Sequence, residues 1–94
     1  MFLSTTASFA SCEDGEAMAV DAALKYVEHF IPGLHSCSNL SAVLSEASAT
    51  ENYSITLSCK TLDYKKAAAR FSVALKEVED SACYVKDVTF NGRD

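Results

Sequence analysis

Residues 16 to 31 set the terms for the rest of the chain. Val20, Ala23, Leu24, Val27, Phe30 and Ile31 follow the i, i+3, i+4, i+7 rule, while Asp21, Lys25 and Glu28 fall on the other side. This spacing predicts an amphipathic helix from about Glu16 to Ile31. Asp14 stands where a cap is needed, and Glu13, Asp14 and Glu16 complement the positive end of the helix dipole. Pro32-Gly33 then stops the helix.

The period changes from there on. Leu40, Ala42 and Leu44 alternate with Ser41 and Ser45, which reads as a strand. After a short turn at Thr50-Glu51-Asn52, the residues Tyr53, Ile55, Leu57 and Cys59 alternate with Ser54, Thr56, Ser58 and Lys60. One face of that strand is buried and the other wet. Cys83 to Phe90, rich in Tyr, Val, Thr and Phe, reads as a further strand.

Residues 65 to 80 fit two templates. As a helix they gather Ala67, Ala68, Phe71, Ala74, Leu75 and Val78 on one face, with Val73 misplaced and Asp63 available as a cap. As a strand, Phe71, Val73 and Leu75 alternate with Ser72, Ala74 and Lys76. Alanine, lysine and glutamate favour the helix by propensity. The strand gives an α+β fold with one long N-terminal helix packed on a four-stranded antiparallel meander. The helix, with an added strand before Cys12, gives a βαββαβ ferredoxin-like sandwich, which is also α+β.

The 94 residues make a single domain, with 49% hydrophobic residues, three glycines and one proline. Net charge is −5, and the basic residues form no stripe beyond Lys65, Lys66 and Arg70, so the footprint of a nucleic-acid binder is missing. No apolar run approaches the ~20 residues of a membrane span. Cys12, Cys37, Cys59 and Cys83 are evenly spread and lack C-x-x-C spacing, which favours two disulfides over a metal or redox motif. Asn39-Leu40-Ser41 and Asn52-Tyr53-Ser54 are glycosylation sequons. Both features point to a secreted protein. Residues 1 to 11 read as a leader remnant or a flexible tail, carrying Phe2 and Phe9.

Little in the chain reads as catalytic or cofactor chemistry. A Cys37–His35 dyad has no family signature around it. His29, His35, Cys37 and Cys12 match no usual zinc spacing, so no metal is expected. Glu77 and Glu79 lack an apolar pocket that would separate their pKa values, and no Gly-rich phosphate loop occurs. The chain reads as a binding protein and not an enzyme, with no cofactor. Tyr26, Phe30, Tyr53, Phe71 and Phe90 fall at or near inward positions and are expected in the core.

The segment Glu46-Ala47-Ser48-Ala49-Thr50-Glu51-Asn52-Tyr53-Ser54-Ile55-Thr56-Leu57 resembles the first hairpin of the cystatins. In that family a Gln-x-Val-x-Gly turn leads into a segment like Thr-Asn-Tyr and then alternating apolar residues. Asn52 and Tyr53 match, as does the Ile55, Leu57 alternation. The order of helix, hairpin and two more strands is also the cystatin order, and Val88-Thr89-Phe90-Asn91 is similar to the last strand of some members.

The resemblance implies an inhibitor of papain-like cysteine peptidases, or a diverged relative of one, that fills the peptidase cleft with a wedge. Glu46, Ala47, Ser48, Ala49 and Thr50 would form the first turn of that wedge. The second would lie at residues 77 to 81, with Val78 and Glu79. Where the family has Gln, Val and Gly, this chain has Glu46, Ser48 and Thr50, and the second turn lacks Pro-Trp. These departures keep a second expectation open, a non-inhibitory secreted module for another extracellular protein. The family layout further implies Cys12–Cys37, and with it Cys59–Cys83, among the three pairings that four cysteines permit.

Overall fold

The computed structural model describes residues 12–46, 50–79 and 82–94, with the Glu46 side chain left aside. A helix, α1 (Gly15–Phe30), is followed by four strands: β1 (Leu34–Glu46), β2 (Thr50–Thr61), β3 (Lys66–Glu79) and β4 (Ala82–Arg93). The strands pair in sequence order as one antiparallel meander, with α1 packed on one face. Residues 66 to 79 are therefore strand, and the ferredoxin-like alternative is set aside. Propensity loses here because both neighbouring strands supply ladder hydrogen bonds and Ala67, Ala69, Phe71, Val73 and Leu75 all reach the core.

Strict alternation organises the two central strands. Tyr53, Ile55, Leu57 and Cys59 on β2 are buried together with the five inward residues of β3. Each large apolar side chain in that layer contributes roughly 1.5–3 kcal/mol by leaving water. Tyr26 of α1 closes over the register partners Phe71 and Phe90, with ring centroids 5.6 and 6.3 Å away. The β2–β3 ladder is uninterrupted over eleven residue pairs. The β1–β2 and β3–β4 ladders each carry three register shifts.

The helix meets the sheet through Gly15, Ala19, Ala23 and Val27, a four-residue spacing of mostly small side chains that allows close approach. Val20, Leu24 and Ile31 pack beside this ridge, whereas Phe30 lies 68% exposed, at the end of α1 and outside the expected core. Asp14 does not cap with its side chain. It takes a left-handed backbone (φ 55°), and its carbonyl accepts the first helical bond from the Met18 N–H. Thr50-Glu51-Asn52 belongs to β2 and is not part of a turn.

Two disulfides close the fold, Cys12–Cys83 and Cys37–Cys59, and correct the pairing implied by the family layout. Cys59 lies opposite Ala67 and Cys83 opposite Glu77. Ten residues of β3 separate those levels, about 33 Å, so Cys59 and Cys83 cannot meet. Cys37 and Cys59 instead sit on adjacent strands with Cα atoms 4.0 Å apart. Cys12 stands at the far end of the sheet from Cys37, beside β4.

Candidate functional site

The register gathers one end of the sheet into a composite edge. Strand β1 finishes at Glu46 opposite Asn52, and β2 begins at Thr50 opposite Lys76. Strand β3 continues three residues further to Glu79, which pairs with Ala82. The β3–β4 hairpin thus extends beyond the level at which β2 starts. Val78, on this extension, is 65% exposed, and Glu79 is exposed beside it. Thr50 is half-buried at the base of the first hairpin. Ala47, Ser48 and Ala49 lie outside the described residues, as do residues 80, 81 and 1 to 11.

The chain entering α1 reaches the same end. Cys12 is bonded to Cys83, four residues after the end of β3, and α1 starts at Gly15. Beneath this junction lies a polar cluster that sequence reading missed. Glu51 is fully buried, its Oε2 accepting the Cys12 N–H at 3.0 Å and its Oε1 accepting the Tyr53 hydroxyl at 3.4 Å. A carboxylate from β2 therefore sits at the positive end of α1, where a negative charge is stabilised. Burial raises the Tyr53 phenol above its usual value, and the Glu51 charge and hydrogen bond push it the same way. A Cβ on Gly15 would come 2.7 Å from the Tyr53 Oη, so the cluster also accounts for glycine there. Its only sequence signal is an acidic residue in phase with Tyr53, Ile55 and Leu57.

Other candidate groups have structural roles. Cys37 is half of a disulfide, so it offers no thiol to His35. The His35 Nε2–H donates to the Thr61 carbonyl at 2.9 Å, its Nδ1 lies 3.0 Å from the Ser36 hydroxyl, and the ring meets Tyr64 edge-on. His29 is exposed, 3.9 Å from Glu28. Among the described residues, no three His, Cys, Asp or Glu side chains are grouped to hold one metal ion, and no helix is long and apolar enough to cross a membrane. A groove of about 410 Å³ runs beside Leu24, Val27, Leu34 and Cys37, at the opposite end from the hairpins. Of the two sequons, Asn39 is exposed on the edge strand β1, and Asn52 is half-buried in β2 opposite Glu46.

Comparison of the chain with protein-family models, with curated proteins and with solved structures finds no match in any of the three.

Proposed function

We propose that this chain is a secreted, cystatin-like inhibitor of papain-like cysteine peptidases, or a diverged relative, acting through the hairpin end of its sheet. The observation that carries the reading is the convergence of the β1–β2 end, the longer β3–β4 hairpin and the Cys12 entry to α1 at one edge, tied by Cys12–Cys83. An edge held by a disulfide and by the Glu51 cluster loses little entropy on docking, which suits a cleft-filling wedge. Exposed Val78 supplies an apolar contact on it. Two disulfides, and sequons at Asn39 and Asn52, are compatible with a secretory route and glycosylation.

The second reading is a non-inhibitory module that binds another extracellular protein through the same edge. Its support is the concentration of carboxylates there: Glu46 in the first hairpin, Glu77 and Glu79 in the second. Carrying a carboxylate into a cleft without a cationic partner costs several kcal/mol. A titration of the oxidised protein against active-site-quantified papain separates the two. Reversible inhibition at nanomolar to low micromolar levels supports the inhibitor. Absence of inhibition at ~100 µM, about 4 kcal/mol short of a ~100 nM inhibitor, retires it in favour of the module. The double variant Glu46→Gln/Thr50→Gly restores family residues and should strengthen inhibition if the first hairpin enters the cleft.

A further inference from the structure

The face of the sheet turned away from α1 carries a charge pattern that the linear sequence hides. Alternation places Lys60 of β2 and Lys66, Arg70 and Lys76 of β3 on it, half of the chain's eight basic residues. Lys60 and Lys66 are register partners, Thr56 lies opposite Arg70, and Ser54 opposite Ser72. Along β3 the three cations span about 33 Å. Between them the side chains are short and rich in hydroxyls, and Asn91 of β4 joins the array by donating to the Ser72 Oγ at 2.7 Å.

The opposite side of the molecule has the opposite sign. Glu13, Asp14, Glu16, Asp21 and Glu28 lie on or just before α1, against Lys25 alone, which is paired with Asp21 at 3.1 Å. The two short dimensions of the molecule are 21 and 17 Å. That is about two Debye lengths at physiological salt, so a ligand on the open face feels the local cations far more than the net charge of −5. Among the described side chains, two acids share the face. Asp94 holds Arg70 through bonds of 3.0 and 3.2 Å, and Asp87 lies opposite Ala74. Lys60, Lys66 and Lys76 have no ion-pair partner among the described residues.

We infer that this open face binds a sulfated polysaccharide lying along β3, with Lys60 and Lys66 at one end, Arg70 midway and Lys76 at the other. A linear array of cations answers a linear polyanion, and the serine and threonine hydroxyls between them donate to sulfate oxygens. Two rings fall on this face by register among the described residues, Tyr84 opposite Lys76 and His35 opposite Lys60, and ten residues of β3, about 33 Å, separate those levels, so they form no continuous platform on which single-stranded nucleic acid could stack. The inference concerns a different surface from the hairpin edge and stands whether or not a peptidase is inhibited.

The test uses heparin as the probe and the oxidised full chain at ~50 mM salt. Lys60→Gln/Lys66→Gln and Lys25→Glu change the net charge equally, but only the first alters the open face. The first should weaken heparin binding about 10-fold and lower the salt slope by about 2, while the second should change affinity less than about 2-fold. Both replaced lysines are exposed, and unchanged thermal unfolding of each variant confirms that folding is unaffected. Equal losses in the two variants would reduce the effect to net charge and overturn the inference. So would equal affinity for desulfated heparin, or tighter binding of a single-stranded oligonucleotide of matched charge.

Discussion

Consider Glu51 replaced by alanine. The carboxylate is fully buried, accepts the Cys12 N–H and the Tyr53 hydroxyl, and stands at the start of α1. Truncation leaves the Cys12 N–H buried without that partner, at about 1–3 kcal/mol. It also removes a negative charge from a partly buried helix N-terminus, worth up to ~2 kcal/mol, and opens space under the helix. A loss of about 4 kcal/mol is expected, or ~15–30 °C in melting temperature for a domain of this size. Glu51→Gln keeps the shape: its oxygen can take the Cys12 N–H, and its amide can donate to the Tyr53 Oη. Only the charge goes, so about 1–2 kcal/mol is expected. Thermal unfolding of the oxidised proteins, followed by far-UV circular dichroism, measures both. A loss under ~1 kcal/mol for alanine would refute the cluster as a structural centre. Equal losses for the two variants would show that charge alone holds it.

Three further outcomes follow from the same geometry. Proteolytic mapping without reduction should recover peptides joined as Cys12–Cys83 and Cys37–Cys59, and loop entropy predicts that Cys12→Ala/Cys83→Ala costs about 1 kcal/mol more than Cys37→Ala/Cys59→Ala, from separations of 71 and 22 residues. Gly15→Ala should destabilise by about 1–3 kcal/mol through its 2.7 Å approach to the Tyr53 hydroxyl, and adding Tyr53→Phe should recover part of that loss, a non-additivity readable in a urea-unfolding cycle. The Tyr53 phenol has a higher pKa folded than unfolded, so its contribution to stability is complete below about pH 10 and is lost as pH rises through the folded value; Tyr53→Phe should abolish that part of the alkaline decline in unfolding free energy.

How much of this was legible in the chain differs from element to element. The helix was, because a helical period followed by Pro32-Gly33 needs no tertiary information. The closest-packed ridge was not: Gly15 and Ala19 carry almost no hydrophobic signal, yet they allow the approach that larger side chains would block. Strand β2 was read from Tyr53 onward, but Thr50-Glu51-Asn52 resembled a turn, since a glutamate in an inward phase looks like an error until the helix N-terminus above it is known. Strand β3 stayed ambiguous because its own residues favour a helix and only its neighbours make it a strand. The cystatin resemblance anticipated helix and meander but misplaced the disulfides, whose partners depend on which end of each strand they occupy. The cationic face was illegible for a related reason. Its members are four to six residues apart in sequence and become a row only when strand phase sorts them.

The contrast between the unbroken β2–β3 ladder and the shifted β1–β2 and β3–β4 ladders bears on how these molecules behave toward one another. Strands β1 and β4 are the two borders of an open sheet, and each would otherwise offer a template for strand addition by a neighbouring copy. Irregularities near Ser36, Leu40 and Ser45 on β1, and near Lys86 on β4, break the straight run of backbone donors and acceptors that such stacking needs. Here the protection against fibrillar association is built into the margins, while regularity is kept for the middle of the sheet, where each strand's backbone is already paired on both sides.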